Sequence, residues 1–494
     1  QKPSYEPLGS DGYTWRAAQR KSMTDSRRRW WRVFCGSLAA LSATVAFVGQ
    51  ALAHSGSLGA NAGRGVAVPT WLFLATGGGV VGVSFVLSSL ATDREFLRYV
   101  HEYRRTVATA RHDLLVGLGR AVGLLGLAVV LATGFLAGRS EFPVALLADV
   151  PTDPLRNAAI LLVWGGWWAG LAMSSYLVGN AWPVLNPFRT IVGWLPSLDR
   201  ELPVDGGWLA TVGLLTLIWV EVVSPLADAA QLLATAVALY GVVTVLGGVV
   251  VGDDYFTEYD PVARVFDAYG RVAPLTVEDG RLKLRSPGAG LQTPWVDSTG
   301  DIAFVVALLW GTTYDGLVAT APWADFARAV VGLGVPPVFL YPLVLAVGFA
   351  AFLGVYLLSV RYGRRIADTT LDSAELAARF APSLLAIAAG YHVAHYLGYF
   401  LNLVPALANA LANPLSPGQA FVFAIPGWFG LASLTFVIAG HVLAVWVAHG
   451  VGYELFPSRI QAVRSQYLLT LVMMFYTMTS LWIVSRPYEA PPFL

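Results

Sequence analysis

Gly390-Tyr-His-Val-Ala-His-Tyr-Leu-Gly-Tyr-Phe-Leu-Asn402 places His392 and His395 inside an apolar segment long enough to span a bilayer. On a helix, His392, His395, Tyr399 and Asn402 (i, i+3, i+7, i+10) fall on one face. An imidazole at membrane depth is costly unless it is buried in the bundle and paired, so two together mark a functional site. Composition agrees with a membrane setting. Apolar residues make up 56 % of the chain and charged residues 13 %, against roughly 25 % charge in soluble domains, and mean hydropathy is +0.60. The fold class is therefore all-α, a polytopic helical membrane bundle with the lipid bilayer as its surroundings. A net charge of +1 lacks the basic footprint of a nucleic-acid partner. The single cysteine, Cys35, excludes intrachain disulfides, cysteine-ligated zinc and iron–sulfur clusters.

Residues 1–53 read as an N-terminal extension and a secretory signal. Ser26-Arg-Arg-Arg-Trp-Trp-Arg32 is a basic region, 33–51 an apolar run, and Ala51-Leu-Ala53 an A-x-A site. Cleavage after Ala53 would make His54 the mature N-terminus, where amine and imidazole together chelate copper; left uncleaved, the apolar run is an additional first span. Residues 54–494 read as one helical domain. Ten apolar segments of bilayer length follow, near 70–91, 114–137, 157–179, 207–224, 228–251, 302–322, 336–359, 381–404, 427–449 and 465–485; an uncleaved signal makes eleven. Arginines and lysines crowd alternate loops: Arg94 to Arg111, Arg264 to Arg285, Arg361 to Arg379, and Arg459 with Arg464. By the positive-inside rule those loops are cytoplasmic, which makes this a multi-pass plasma-membrane protein with both mature termini external. The long inside loop, 253–301, holds Leu275-Thr-Val-Glu-Asp-Gly-Arg-Leu-Lys-Leu284, whose alternation around Asp279-Gly280 predicts a β-hairpin.

Chemistry in such a chain resides in polar groups within spans. Counting about 1.5 Å per residue from the inner end puts Glu221 about 21 Å up its helix, Asp315 about 20 Å, and His392 and His395 about 16 and 21 Å up theirs. Asp228 sits at the outer end of the next helix. His392 and His395 at i, i+3 could chelate one cation, with Glu221 or Asp315 completing the site. Such ligands suit a divalent transition metal: zinc, manganese, iron or copper. A remaining carboxylate, Asp315 or Glu221, could act as base. His441 lies on the following helix, below the first pair by the same count, and joins the ligand set if its helix shifts. His449 reads as an interfacial residue, His101 and His112 as solvated. Trp164, Trp167, Trp168, Trp182, Trp194 and Trp208 gather around the third and fourth spans, as interface-belt or packing residues. The alternative reading of every one of these polar residues is a hydrogen bond that only fixes helix packing.

Several stretches resemble a family of polytopic membrane proteins known as fenitrothion hydrolases. They are Ala53-His-Ser-Gly56 with Val68-Pro-Thr-Trp-Leu-Phe73, Trp182-Pro-Val-Leu-Asn-Pro-Phe-Arg189, Asp260-Pro261, Gly270-Arg-Val-Ala-Pro274, the Asp279-Gly280 turn, Gly311-Thr-Thr-Tyr-Asp-Gly316, His395-Tyr396 and Gly440-His-Val442. The resemblance implies hydrolysis of a lipophilic organophosphate triester with release of a phenol. It brings Asp315, His395 and His441 forward as shared polar residues. The chain departs from the family pattern at Gly450, where an aspartate is expected after the position of His449.

Three functions stay open on the sequence. One is a metal-dependent hydrolase of lipophilic esters, with metal-activated water and Asp315 or Glu221 as ligand or base. A second is a transporter or metal-uptake protein in which the same residues relay ions, although no inverted repeat with paired broken helices is visible. The third is a haem-binding electron carrier using His392 or His395 with His441.

Overall fold

The computed structural model describes residues 70–91, 94–108, 112–139, 150–278, 280–426, 428–486 and 489–493. The expected signal and His54 lie outside the described residues. In chain order the elements used below are α1 (Thr70–Ala91), α2 (Arg94–Glu102), β1 (Arg104–Ala108), α3 (His112–Leu136), α4 (Ala158–Leu177), α5 (Gly206–Val223), α6 (Ala230–Val251), α7 (Pro261–Gly270), β2 (Leu275–Glu278), β3 (Arg281–Arg285), α8 (Thr299–Val318), α9 (Ala321–Gly332), α10 (Pro337–Ala367), α11 (Ser373–Phe380), α12 (Leu384–Ala412), α13 (Phe429–Leu455), α14 (Arg459–Ser465) and α15 (Tyr467–Val484). Nine helices among the described residues are long and apolar enough to cross a membrane. These helices are those of a membrane protein, and among the described residues the structure is mostly helical with one small sheet. The first expected segment, 70–91, is also helical, as α1.

Burial ranks the helices. The apolar window of α8 is 83 % buried and that of the span containing α12 is 67 % buried, whereas α3 buries 6 % of its window. A helix apolar on all sides belongs either in the centre of a bundle or against lipid, and these figures place α8 and α12 in the centre and α3 at the rim. The two central helices pack on each other; α12 also packs on α13 and on α4, and α8 on α5 and α10. Glycine makes the closest crossing. A Cβ on Gly390 would lie 2.7 Å from Gly440 Cα, and one on Gly440 would lie 2.6 Å from Ala386 O. Small residues at a crossing let backbones approach and gain packing that larger side chains forbid.

The sheet differs from expectation by one strand. β2 and β3 pair antiparallel from Leu275↔Leu284 to Glu278↔Arg281, with Gly280 at φ 68 in the turn between them. β1 adds to the other edge of β3, giving the order β1-β3-β2. Arg104-Arg-Thr-Val-Ala108 is too short and too charged to read as a strand alone; it forms one because β3 presents an open edge. Around this sheet the basic loops meet. Leu275 N donates to Val178 O at 2.9 Å, Ser286 Oγ to Val100 O at 2.8 Å, and Gln461 Nε2 to Asp368 O at 3.1 Å. Arg379 pairs with Glu454 at 2.9 Å. This end of the bundle is termed the sheet face. At the opposite end Tyr341 Oη donates to Pro492 O at 2.8 Å.

Two polar anchors hold the sheet face. Arg264 on α7 pairs with Asp301 at the start of α8 at 2.6 Å, their side chains 9 % and 14 % exposed. Asp301 and Ser298 also form a capping box, which satisfies N–H groups that a helix start leaves open. Truncating the arginine leaves a carboxylate in poorly hydrated surroundings. Arg264→Ala is therefore expected to cost about 3 kcal/mol, read as a lower thermal midpoint that Arg264→Lys partly restores.

The second anchor is Asp260, which caps α7 by accepting from Val262 N at 3.1 Å and also accepts from Tyr240 Oη. It is 1 % exposed, and burial pushes its carboxyl up to about 6. An unfolded aspartate titrates near 3.9. The native state therefore holds the proton more tightly, and stability falls as pH rises from about 4 to about 6. The difference of about two units corresponds to roughly 3 kcal/mol. Asp260→Asn, which keeps the cap and cannot ionise, is expected to flatten that fall in a pH series of thermal midpoints; parallel curves would contradict it.

Candidate functional site

The polar centre of the bundle lies where α8 meets α12. Asp315, one turn from the end of α8, is 6 % exposed. Tyr396 Oη donates to its Oδ2 at 2.7 Å, and His395 Nε2 lies 3.6 Å from the same oxygen. That second distance is longer than a direct hydrogen bond, and the contact is an ion pair only when the imidazole is protonated. His395 is held between two phenol rings: Tyr391 is near-parallel to it at 6.0 Å, and Tyr396 is edge-on at 4.9 Å. Gly316 makes the arrangement possible, since a Cβ there would fall 2.0 Å from Tyr391 Oη.

His392 looks elsewhere. Its Nδ1 is 3.0 Å from Tyr176 Oη on α4, and its ring packs 4.6 Å from Tyr396, 5.7 Å from Trp168 and 5.8 Å from Tyr269 on α7. Three residues along a helix are rotated by about 60° from eclipse, so the two imidazoles serve different neighbours: His395 the α8 carboxylate, His392 the tyrosines of α4 and α7. Within α4, Leu161–Leu171 is wound as a π-helix, a form that recurs at functional sites. It carries Trp164, Trp167 and Trp168 inward. Trp164 Nε1 reaches Leu226 O at 3.4 Å, and Trp167 packs on Trp182 and Phe266. These indoles belong to the interior; Trp194, 68 % exposed, lies at the surface.

The other expected residues spread out. Glu221 on α5 lies within electrostatic reach of Tyr396 and Tyr399. Asp228, in the turn before α6, lines a cavity of about 300 Å³ with Ala137, Thr152 and Gln231, and burial pushes its carboxyl above the usual carboxylate range. His441 is fully buried on α13, with Nδ1 2.7 Å from Val437 O one turn back. His449, expected at the inner interface, is fully buried within the bundle, where Phe85 of α1 and Tyr453 close over its ring at 6.4 and 4.7 Å. His101 is half-buried rather than solvated; burial and then Arg104 pull its imidazole below the usual range.

His392, His395, His441 and Asp315 therefore do not converge as one ligand set. Among the described residues no group of three or more His, Cys, Asp or Glu side chains is arranged to hold a metal ion. His395 and Asp315 offer two donors, where metal centres take three or four protein ligands. Tyr176, Tyr269 and Tyr396 complete the cluster. Tyr396 stood in view beside His395, but a tyrosine in an apolar run carries no polar signal, and Tyr176 and Tyr269 lie far off in sequence.

No family model, no curated protein and no solved structure matches this chain. The resemblance to fenitrothion hydrolases rests on the quoted sequence pieces alone.

Proposed function

We propose that this integral membrane protein exchanges a proton at Asp315 and His395 in step with movement of a small lipophilic molecule or ion, as a proton-coupled transporter does. The observation that carries the reading is one carboxylate oxygen, buried in the central helix, shared by a phenol donor and an imidazole. A carboxylate so placed changes its stability sharply with its charge and with that of the neighbouring imidazole. Arrival of a cation favours the ionised carboxylate; its departure favours the protonated form. The proposal carries with it ten spans, a cleaved signal, a cytoplasmic sheet face by the positive-inside rule, and external mature termini.

A second reading is favoured by the order of exposure across the pair, 8 % for the Asp315 side chain and 27 % for His395. A buried carboxylate behind a more accessible imidazole is the order found in general-base catalysis. His395 would take the proton from a water attacking a lipophilic ester and return it to the leaving phenolate. This is the hydrolysis that the family resemblance implies, with no step through a metal.

Both are tested in proteoliposomes with a trapped pH dye, challenged with tetraphenylphosphonium, lipophilic weak bases and a nitroaryl phosphotriester. Proton movement on addition of one probe, lost in Asp315→Asn and His395→Gln, is the expected result. Equal proton movement in the wild type and both variants overturns the transport reading. Nitrophenol release lost in the same variants, without proton movement across the membrane, replaces it by hydrolysis.

A further inference from the structure

The Asp315 carboxylate is buried, and a second set of buried polar groups leads from it toward the sheet face. We propose that His392, Tyr176 and Tyr269 form a proton path connecting Asp315 with the sheet face, a role that rests on the reading of Asp315 given above.

Two hydrogen-bond-length contacts and two ring contacts link these groups in order. Tyr396 Oη reaches Asp315 at 2.7 Å. The Tyr396 ring packs on His392 at 4.6 Å between centroids. His392 Nδ1 is 3.0 Å from Tyr176 Oη, and the Tyr176 ring meets the Tyr269 ring edge-on at 5.1 Å. Tyr176 precedes by two residues Val178, whose carbonyl accepts from Leu275 N at the edge of the sheet. Gly270, next to Tyr269, packs on half-buried Asn180, where solvent begins. His392 lies about 12 Å from the start of α12 by residue count, whereas Asp315 lies about 24 Å along α8. His392 thus lies about 4.5 Å closer to the start of α12 than His395, which contacts Asp315.

Two buried polar atoms on this route, His392 Nε2 and Tyr269 Oη, have no hydrogen-bond partner among the described residues. A purely structural cluster satisfies its buried donors and acceptors; a relay keeps hydrogen-bonding capacity for the proton in transit, directly or through one water. With Tyr176 donating to Nδ1, the neutral imidazole carries its proton on Nε2. In the forward step Tyr269 takes a proton from the sheet face as it passes its own through one bridging water to Tyr176, and Tyr176 passes its own to Nδ1. His392 then releases the Nε2 proton through one bridging water to Tyr396, and Tyr396 gives its phenolic proton to the Asp315 carboxylate. One proton enters at the sheet face, one arrives on Asp315, and every relay group ends neutral; His392 is left with its proton on Nδ1, and its return to the Nε2 tautomer resets the path. The charged and titratable groups facing His392 are Tyr176 from α4, Tyr269 from α7, Tyr396 and His395 from α12, and Asp315 from α8.

The test follows the carboxyl C=O infrared band of Asp315, assigned by its loss in Asp315→Asn, after a pH step applied to one face of uniformly oriented proteoliposomes. Tyr176→Phe and Tyr269→Phe keep the ring packing and remove only the hydroxyl; His392→Phe removes the relay imidazole. Slowing of the response to a sheet-face step by about a hundredfold in these variants, with the response to a step on the opposite face unchanged, is expected. Unchanged rates in all three variants overturn the path while leaving the Asp315 reading intact. No carboxyl band assignable to Asp315 in the wild type overturns both. A slowed band in variants of a protein whose Asp315→Asn form still couples protons to solute supports the path and removes the proposed function.

Discussion

Asp315→Asn is expected to reduce proton-coupled activity by about a hundredfold or more while the protein still folds. Asparagine has the volume of aspartate and an oxygen that can accept from Tyr396 at the 2.7 Å position. What it loses is the ability to change charge, and with it the interaction with His395 across 3.6 Å. Removing a buried charge is not itself destabilising when the partner is an imidazole that can stay neutral. Folded yield and thermal midpoint should therefore stay close to wild type as activity falls. Tyr396→Phe leaves the carboxylate short of its phenol donor and removes the last hydroxyl of the proton path, so activity should fall while the fold is kept. A loss of activity that tracks a loss of folded yield would assign Asp315 to packing instead.

Gly440→Leu is expected to have the largest effect on the fold. A Cβ at this position would stand 2.6 Å from Ala386 O and 2.8 Å from Gly390 Cα. The obstructing atoms are backbone, so no rotamer change relieves the contact; α12 and α13 must move apart. Overpacking of this kind costs typically 1–3 kcal/mol and occasionally more, out of a total stability of about 5–15 kcal/mol. The displaced helix carries His392, His395 and Tyr396, so activity should fall with folded yield. Gly430→Ala on the same helix, with no atom within 4 Å of the added Cβ, is the control and should be neutral. Thermal midpoints and size-exclusion yield of the three proteins check the expectation.

The helical membrane class was legible because it depends on runs of about 20 apolar residues, and the described helices follow those runs closely. The hairpin was legible from Asp279-Gly280 and the alternation around it. β1 was not, since its pairing exists only after the chain brings residues 104–108 to the edge of β3. Asp315 and His395 could be picked out as charged or titratable residues in apolar segments, and these two do meet. His392 could be picked out as readily, but its partner could not: Tyr176 lies 216 residues away. Counting rise along each helix ignored tilt and lateral position, so it could rank residues by depth but could not say which would face one another. The level it gave to Asp315 and His395 was useful for that reason, while the metal set built on it lacked a third converging ligand. His449 shows the same limit from the other side, as its burial comes from α1, which sequence distance could not bring to it.

The pH-dependent infrared difference spectrum of the purified protein in lipid tests the proton-exchanging role of Asp315 most directly. A carboxylic acid band should appear on acidification in wild type, vanish in Asp315→Asn, and shift in Tyr396→Phe, whose phenol hydrogen-bonds that carboxylate. A difference spectrum identical in wild type and Asp315→Asn would contradict it, because Asp315 would then hold one charge state throughout and could not exchange a proton.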